Sequence, residues 1–193
     1  MPFSHSGQVS TILGYLESVR PASILDVGAG MGQYGFLARV NLEGPDLFEQ
    51  VGDRGRLKDR HEWSLRIVGI EGCTIYLNPV HAWAYDEMLV GDALDVLPTL
   101  ADGSFELVLA IDILEHFERD VGRSFLAELR RVASRQVLVS TPKTWIEQSI
   151  PANPLEDHRS LWTDEELAEE GFTSVLPDAA SWVVAWAAGR SDS

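Results

Sequence analysis

Four carboxylates stand at the ends of four short apolar runs. Asp26 lies within Ser23–Val27 and just ahead of a turn, Gly28-Ala29-Gly30-Met31-Gly32. Glu71-Gly72 follows the run at 65–70, Gly91-Asp92-Ala93 follows Glu87–Val90, and Asp112 follows Phe105–Ile111. An ionised carboxylate only accepts hydrogen bonds, so such groups suit ligand hydroxyls and amines, or a positive charge nearby. Two histidines add proton chemistry near neutral pH: His116, shortly after the fourth run, and His158.

The glycine turn admits two readings. Gly30-Met-Gly32-Gln-Tyr-Gly35 spells G-x-G-x-x-G, the dinucleotide fingerprint. That fingerprint, however, begins directly after its strand, at Gly28, and its third glycine would then fall on Gln33. Asp26 would repel a pyrophosphate and favour an ammonium or sulfonium cation. Glu71 lies 41 positions beyond Gly30, against about 20 for a fingerprint's ribose acid. The polar segment at 41–64 supplies the surplus. A carboxylate there can accept from both hydroxyls of a ribose, and Asp92 can accept from the exocyclic amine of adenine. Together these residues describe an adenosine carrying a cationic amino-acid tail.

Positioning such groups requires parallel strands whose carboxyl ends share one edge, because ligands of open α/β sheets bind there. Val9, Ile12, Leu13, Leu16 and Val19 mark one face of a helix that Pro21 stops. The first strand, glycine turn and a helix at 33–40 follow. A long polar segment at 41–64 precedes the strand at 65–70, and connections of that length are usually functional or mobile. A short helix is expected at 76–84, strands at Glu87–Val90 and Phe105–Ile111, and a helix with its stripe on Val121, Phe125, Leu126, Leu129 and Val132. Further strands fall at 136–140, 172–176 and 182–187. A capping box at Thr163 and Glu166 opens a helix ending at Gly171. Seven strands with interleaved helices indicate one doubly wound, mostly parallel α/β domain, comprising an N-terminal helix at 1–22, an insertion at 41–64 and a segment at 142–162 that could close over the site or pack on the sheet edge.

Composition narrows the chemistry. The chain has 193 residues with a formal charge of −15, unfavourable for nucleic acid or an anionic membrane surface. Its single cysteine, Cys73, excludes an intrachain disulfide and multi-cysteine metal motifs. The five histidines never recur at metal-ligand spacing, and no metal site is expected. The start of the chain resembles no secretory signal, and no apolar run is long enough to span a bilayer, so a cytoplasmic location is expected. One basic window, Arg54-Gly-Arg-Leu-Lys-Asp-Arg-His61, could recognise an anionic substrate or be a solvated loop. Trp145, Trp162, Trp182 and Trp186 are candidates for an acceptor pocket, the last two equally for the core.

Taken together, ILDVGAGMGQYG at 24–35, IVGIEG at 67–72, VGDALDVLP at 90–98 and FELVLAIDILEHF at 105–117 resemble the class I, Rossmann-like S-adenosylmethionine-dependent methyltransferases. The resemblance runs from Ile24 to about Ala187. It implies a sheet order of 3-2-1-4-5-7-6 with an antiparallel last strand. It also implies that Asp26, Gly28 and Gly30, in a turn that includes Ala29 and Gly32, hold the methionine moiety; that Glu71, followed by Gly72, holds the ribose; that Asp92 and Ala93 meet the adenine; and that Ile111 and Asp112 form the floor beneath the sulfur. S-adenosylhomocysteine would be the product. Asp112-Ile-Leu-Glu-His116 departs from the Asn/Asp-Pro-Pro-aromatic signature of nucleic-acid amino-methylating enzymes and resembles the branch acting on small molecules. His116 could take the acceptor's proton or simply start a helix. Two alternatives stay open: a nucleotide-dependent oxidoreductase using the literal G-x-G-x-x-G, and a non-catalytic protein that binds the same cofactor. Neither the acceptor nor the oligomeric state is legible.

Overall fold

The computed structural model describes residues 6–189. The first five residues of the segment expected at 1–22 lie outside the described residues. Among the described residues, nine strands and six α-helices form: β1 (Ser23–Val27), β2 (Phe48–Val51), β3 (Arg54–Leu57), β4 (Arg66–Glu71), β5 (Glu87–Val90), β6 (Phe105–Ile111), β7 (Ala133–Pro142), β8 (Ser174–Leu176) and β9 (Ser181–Ala187), with α1 (Ser6–Val19), α2 (Gln33–Ala38), α3 (Pro79–Ala84), α4 (Ala93–Val96), α5 (Arg119–Val132) and α6 (Asp164–Glu169).

Seven strands make one sheet, ordered β5-β4-β1-β6-β7-β9-β8. Numbered among themselves in chain order, they run 3-2-1-4-5-7-6, as expected. β1, β4, β5, β6 and β7 pair in parallel, and β9 runs antiparallel to both neighbours. The parallel strands are apolar throughout because helices cover both sheet faces: every residue of β6 except Glu106 is buried. Strand order reverses between β1 and β6, which opens a crevice at their carboxyl ends.

One core forms on each face. Phe125, Leu126, Leu129 and Val132 of α5 pack with Val108, Ala110 and Val137, while Ile12 and Leu16 of α1 pack with Ile24, Leu107 and Leu109 on the other side. The stripe of α5 differs from expectation by one position. Val121 is half exposed and Gly122 is buried instead, because a side chain at 122 would collide with the fully buried Trp162 indole. Thr163 and Glu166 form the expected capping box on α6.

The segment at 41–64 is not a plain loop. It holds the β2–β3 hairpin, anchored by Arg39 at its base. The fully buried Arg39 guanidinium meets Glu43 at 2.6 Å and Asp86 at 2.9 Å and donates to the Ala84 carbonyl. The Glu43 carboxylate accepts from the Ser64 and Leu65 amides. Those bonds pair groups that burial would otherwise strand, so both ends of the insertion are clamped to one network. Among the described residues, no helix is long and apolar enough to cross a membrane.

Candidate functional site

A cleft opens at the carboxyl ends of β1, β4, β5 and β6. Counted out to its mouth, with the open solvent there included, it spans about 900 Å³. Of the residues singled out in the sequence, Gly28, Ala29, Gly30, Glu71, Gly72, Asp92, Ala93, Ile111, Asp112 and His116 line it.

Asp26 and Gly32, expected with them, lie behind the lining rather than in it. The buried Asp26 carboxylate turns beneath the glycine turn and accepts the Tyr85 hydroxyl hydrogen at 2.6 Å. The same hydroxyl accepts the Gly35 amide at 3.1 Å. Gly35 must lack a side chain, since a Cβ there would lie inside the Tyr85 ring. Burial pushes the Asp26 carboxyl up to about 6, against the pull of the Tyr85 hydrogen bond. Asp26 thus fastens α2 to the sheet. Gly32 sits at the start of α2 with φ +85°, packed on Val80 and His81.

The glycine turn is held by the protein itself. Gly28 and Ala29 donate to the Ile70 carbonyl, Gly32 donates to the Ala29 carbonyl, and Gly30 donates to Glu71 Oε2 at 2.7 Å. Gly28 and Gly30 both take positive φ, at +75° and +55°, the left-handed region that glycine enters without strain. His81 braces the turn from outside. Its Nδ1 accepts the Asn78 amide, so its Nε2 carries the hydrogen given to the Gly30 carbonyl at 3.1 Å. Burial lowers its affinity for a second proton.

Each carboxylate at the rim has a protein partner and spare acceptor capacity. Glu71 Oε1 accepts the Cys73 amide at 2.7 Å; burial raises its pKa while the Cys73 and Gly30 amides oppose that shift. Asp92 caps α4 by accepting the Leu94 amide at 2.9 Å. Asp112 adopts φ +52°, rare for a side-chain-bearing residue. It is held there by Ser140 Oγ at 2.7 Å and by Gln8 Nε2 of α1 at 2.5 Å.

The cleft's roof comes from residues the sequence did not identify. Asn153, Leu155 and Glu156 line it together with Tyr76. The Tyr76 hydroxyl hydrogen-bonds Glu156 and accepts from Asn153 at 3.3 Å. Burial and the hydrogen bond to Glu156 push that hydroxyl up to about 12. Leu155 rests on Gly72, where a Cβ would approach within 2.6 Å of it. Further along, the Arg159 and Ser160 amides donate to the Glu115 carbonyl, which brings His158 within 5.0 Å of His116, ring centre to ring centre. Burial, then the neighbouring His158, lowers the His116 pKa. Trp162 is core, and none of Trp145, Trp162, Trp182 and Trp186 lines the cleft, a correction to the acceptor-pocket expectation. No residue of 41–64 lines it either; Arg56 pairs with Glu49 and Arg60 with Asp86.

The charge balance is one-sided. Glu71, Asp92, Asp112 and Glu156 face the cleft, and no Lys or Arg is among its described lining residues. Such a field attracts cations and repels phosphate. A pyrophosphate would also find the amide hydrogens of Gly28, Ala29, Gly30 and Gly32 already taken.

A family model described as a methyltransferase domain matches residues 25–139. Among solved structures, a Pyrococcus horikoshii OT3 protein matches at TM-score 0.60 and 17% identity over 95% of this chain and 88% of its own. The Synechocystis PCC 6803 magnesium protoporphyrin IX methyltransferase with bound S-adenosylhomocysteine matches at TM-score 0.59 and 13% identity, covering 94% of this chain and 82% of its own. The Burkholderia thailandensis 1,6-didemethyltoxoflavin-N1-methyltransferase, with its substrate and S-adenosylhomocysteine bound, matches at TM-score 0.60 and 16% identity over 95% and 79%. At these identities the likeness is one of fold. No curated protein sequence matches the chain.

Proposed function

The chain belongs to the methyltransferase-domain family, and on that premise we propose that its cleft binds S-adenosylmethionine and methylates a small or medium-sized acceptor. The observation that carries this reading is a cleft rimmed by Glu71, Asp92, Asp112 and Glu156 without a basic side chain among its described lining residues. A nicotinamide dinucleotide, the rival ligand for Gly30-Met-Gly32-Gln-Tyr-Gly35, would bring a pyrophosphate into that field. S-adenosylmethionine brings an adenosine, a sulfonium and an ammonium, and the donor set fits them.

In this reading the free lone pairs of Glu71 accept from the ribose hydroxyls. Asp92, beside Ala93, accepts from the adenine amine. The Gly28–Gly30 turn lies along the methionine tail, with Ile111 and Asp112 beneath the sulfur. The cofactor supplies a methyl group on a good leaving group, ready for in-line displacement. Orientation then provides most of the acceleration, on the order of 7–11 kcal/mol. Residues 142–162 act as a lid: Tyr76 and Glu156 latch them, and Leu155 packs on Gly72. His116 Nδ1 faces the Asp157 carbonyl at 3.3 Å, which leaves Nε2 to take an acceptor proton. A protein that binds the cofactor without catalysis would need neither that imidazole in the cleft nor a lid.

Calorimetric titration with S-adenosylhomocysteine tests the reading. Micromolar binding is expected, weakened about tenfold, or ~1.4 kcal/mol, by Glu71→Ala. Absence of binding to the folded wild-type protein overturns it.

A further inference from the structure

We propose that Glu115, His116 and His158 bind one divalent transition-metal ion beside the cleft, and that the ion receives an oxygen of the methyl acceptor. One ligand atom from each of the three lies within 4.8 Å of the others. Two donors at about 2.1 Å from a common ion stand about 3.4 Å apart at a tetrahedral angle, so binding draws the three groups together by up to about 1.4 Å. No local motif announces it, because the fold alone brings His158 to the Glu115-His116 pair.

The hydrogen bonds around the cluster prepare both imidazoles for coordination. His158 Nδ1 lies 2.8 Å from the Ile146 carbonyl, and His116 Nδ1 lies 3.3 Å from the Asp157 carbonyl. A carbonyl only accepts, so each Nδ1 carries the hydrogen and each Nε2 presents a bare lone pair. A hydrogen bond from the other ring nitrogen to a carbonyl is what orients ligating histidines in metal sites. Glu115 completes the set. It is 3% exposed, its carboxylate accepts from Thr141 Oγ1 at 3.1 Å, and it pairs with no Lys or Arg among the described residues. A carboxylate buried in this way is stabilised by a cation, and two imidazoles with one carboxylate leave further coordination positions open on a first-row divalent metal.

His116 also lines the cleft, so those open positions face the acceptor. A hydroxyl bound there has a lowered pKa and releases its proton to water. Its oxygen then forms the bond to the methyl carbon while the carbon–sulfur bond breaks and its electron pair stays on sulfur. This second half rests on the methyl-transfer reading and replaces the base role of His116, whose Nε2 lone pair would hold the metal. The metal site itself does not depend on that reading.

The experiment uses the full chain, stripped with a chelator and titrated with Mn2+, Zn2+ and Co2+. One ion per chain is expected, with a micromolar or tighter Kd and visible ligand-field bands for Co2+. His158→Gln should weaken binding about tenfold or more, while His61→Gln, an exposed histidine of the insertion, should leave it unchanged. A Mn2+-soaked crystal provides a readout that no variant can confound: its anomalous peak should lie between Glu115, His116 and His158. No binding, a peak elsewhere, or binding that folded His158→Gln retains in full overturns the site. S-adenosylhomocysteine binding to the stripped protein separates the claims. If it binds and the metal does not, the metal site fails alone; if the metal binds and it does not, the methyl-transfer reading fails alone.

Discussion

Glu71 Oε2 accepts the amide hydrogen of Gly30 across 2.7 Å, tying the end of β4 to the glycine turn after β1. The carboxylate therefore shapes the turn and faces the cleft. Glu71→Gln keeps the size of the side chain but replaces an acceptor oxygen with a donor that opposes either Gly30 or the ligand. Affinity for S-adenosylhomocysteine should fall about tenfold, ~1.4 kcal/mol, with the fold intact by circular dichroism. Unchanged affinity would remove Glu71 from the site.

Asp26 should act on stability. Its carboxyl titrates near 6 in the folded protein against an ordinary 3.8, so the unfolded chain gives up its proton first as pH rises. Folding stability should therefore decline between about pH 4 and 6 by up to roughly 3 kcal/mol from this residue, and be regained on acidification. Asp26→Asn, which still accepts from Tyr85, should flatten that part of the profile in urea unfolding across pH. A slope identical to wild type would mean that the buried carboxylate is not the source.

Tyr85 presents the complementary case. Removing its hydroxyl in Tyr85→Phe takes one donor from the buried Asp26 carboxylate and leaves the Gly35 amide with only that carboxylate in reach, a loss of about 1–3 kcal/mol. Denaturant unfolding at pH 7 measures it, and a loss below about 0.5 kcal/mol would show that the bridge from Asp26 to Gly35 contributes little.

Gly122 pits helix propensity against packing. A mid-helix Gly→Ala change ordinarily gains up to about 1 kcal/mol. Here the new methyl would sit 2.6 Å from Trp162 Cζ2, and the fully buried indole has nowhere to go. Overpacking of about 1–3 kcal/mol should prevail, lowering Tm in Gly122→Ala. A raised Tm would mean that the Trp162 contact is soft.

The lid proposed for residues 142–162 yields a kinetic prediction. Tyr76→Phe releases Glu156 and Asn153 from their shared hydroxyl, so proteolytic nicking within 142–162 should speed up several-fold. S-adenosylhomocysteine should slow it again. A nicking rate equal to wild type would remove the latch from the account.

What was legible followed from periodicity and from strand ends. Continuous apolar runs such as Phe105–Ile111 read directly as strands buried on both faces, and glycine or acid after each run marked the edge where the cleft lies. The direction of a side chain is not written in its own neighbourhood. Asp26 precedes the turn just as a ligand-facing acid would, yet Tyr85, far along the chain, draws it beneath the turn. Nothing in its own neighbourhood marks Arg39, and only the tertiary placement of Glu43, Leu65, Ala84 and Asp86 makes it a buried anchor. Asn153, Leu155 and Glu156 carry no periodic signal because their segment has almost no regular structure. On α5 only Val121 lies off the expected buried face; Gly122 takes its place, because a glycine has no hydropathy to reveal that a tryptophan covers it.

A paired titration on one preparation tests the central claim most directly: that the acid-rimmed edge of the sheet takes a cationic adenosyl donor. Calorimetry should register S-adenosylmethionine at micromolar affinity and NAD not at all. Binding of NAD with no response to S-adenosylmethionine would contradict the account.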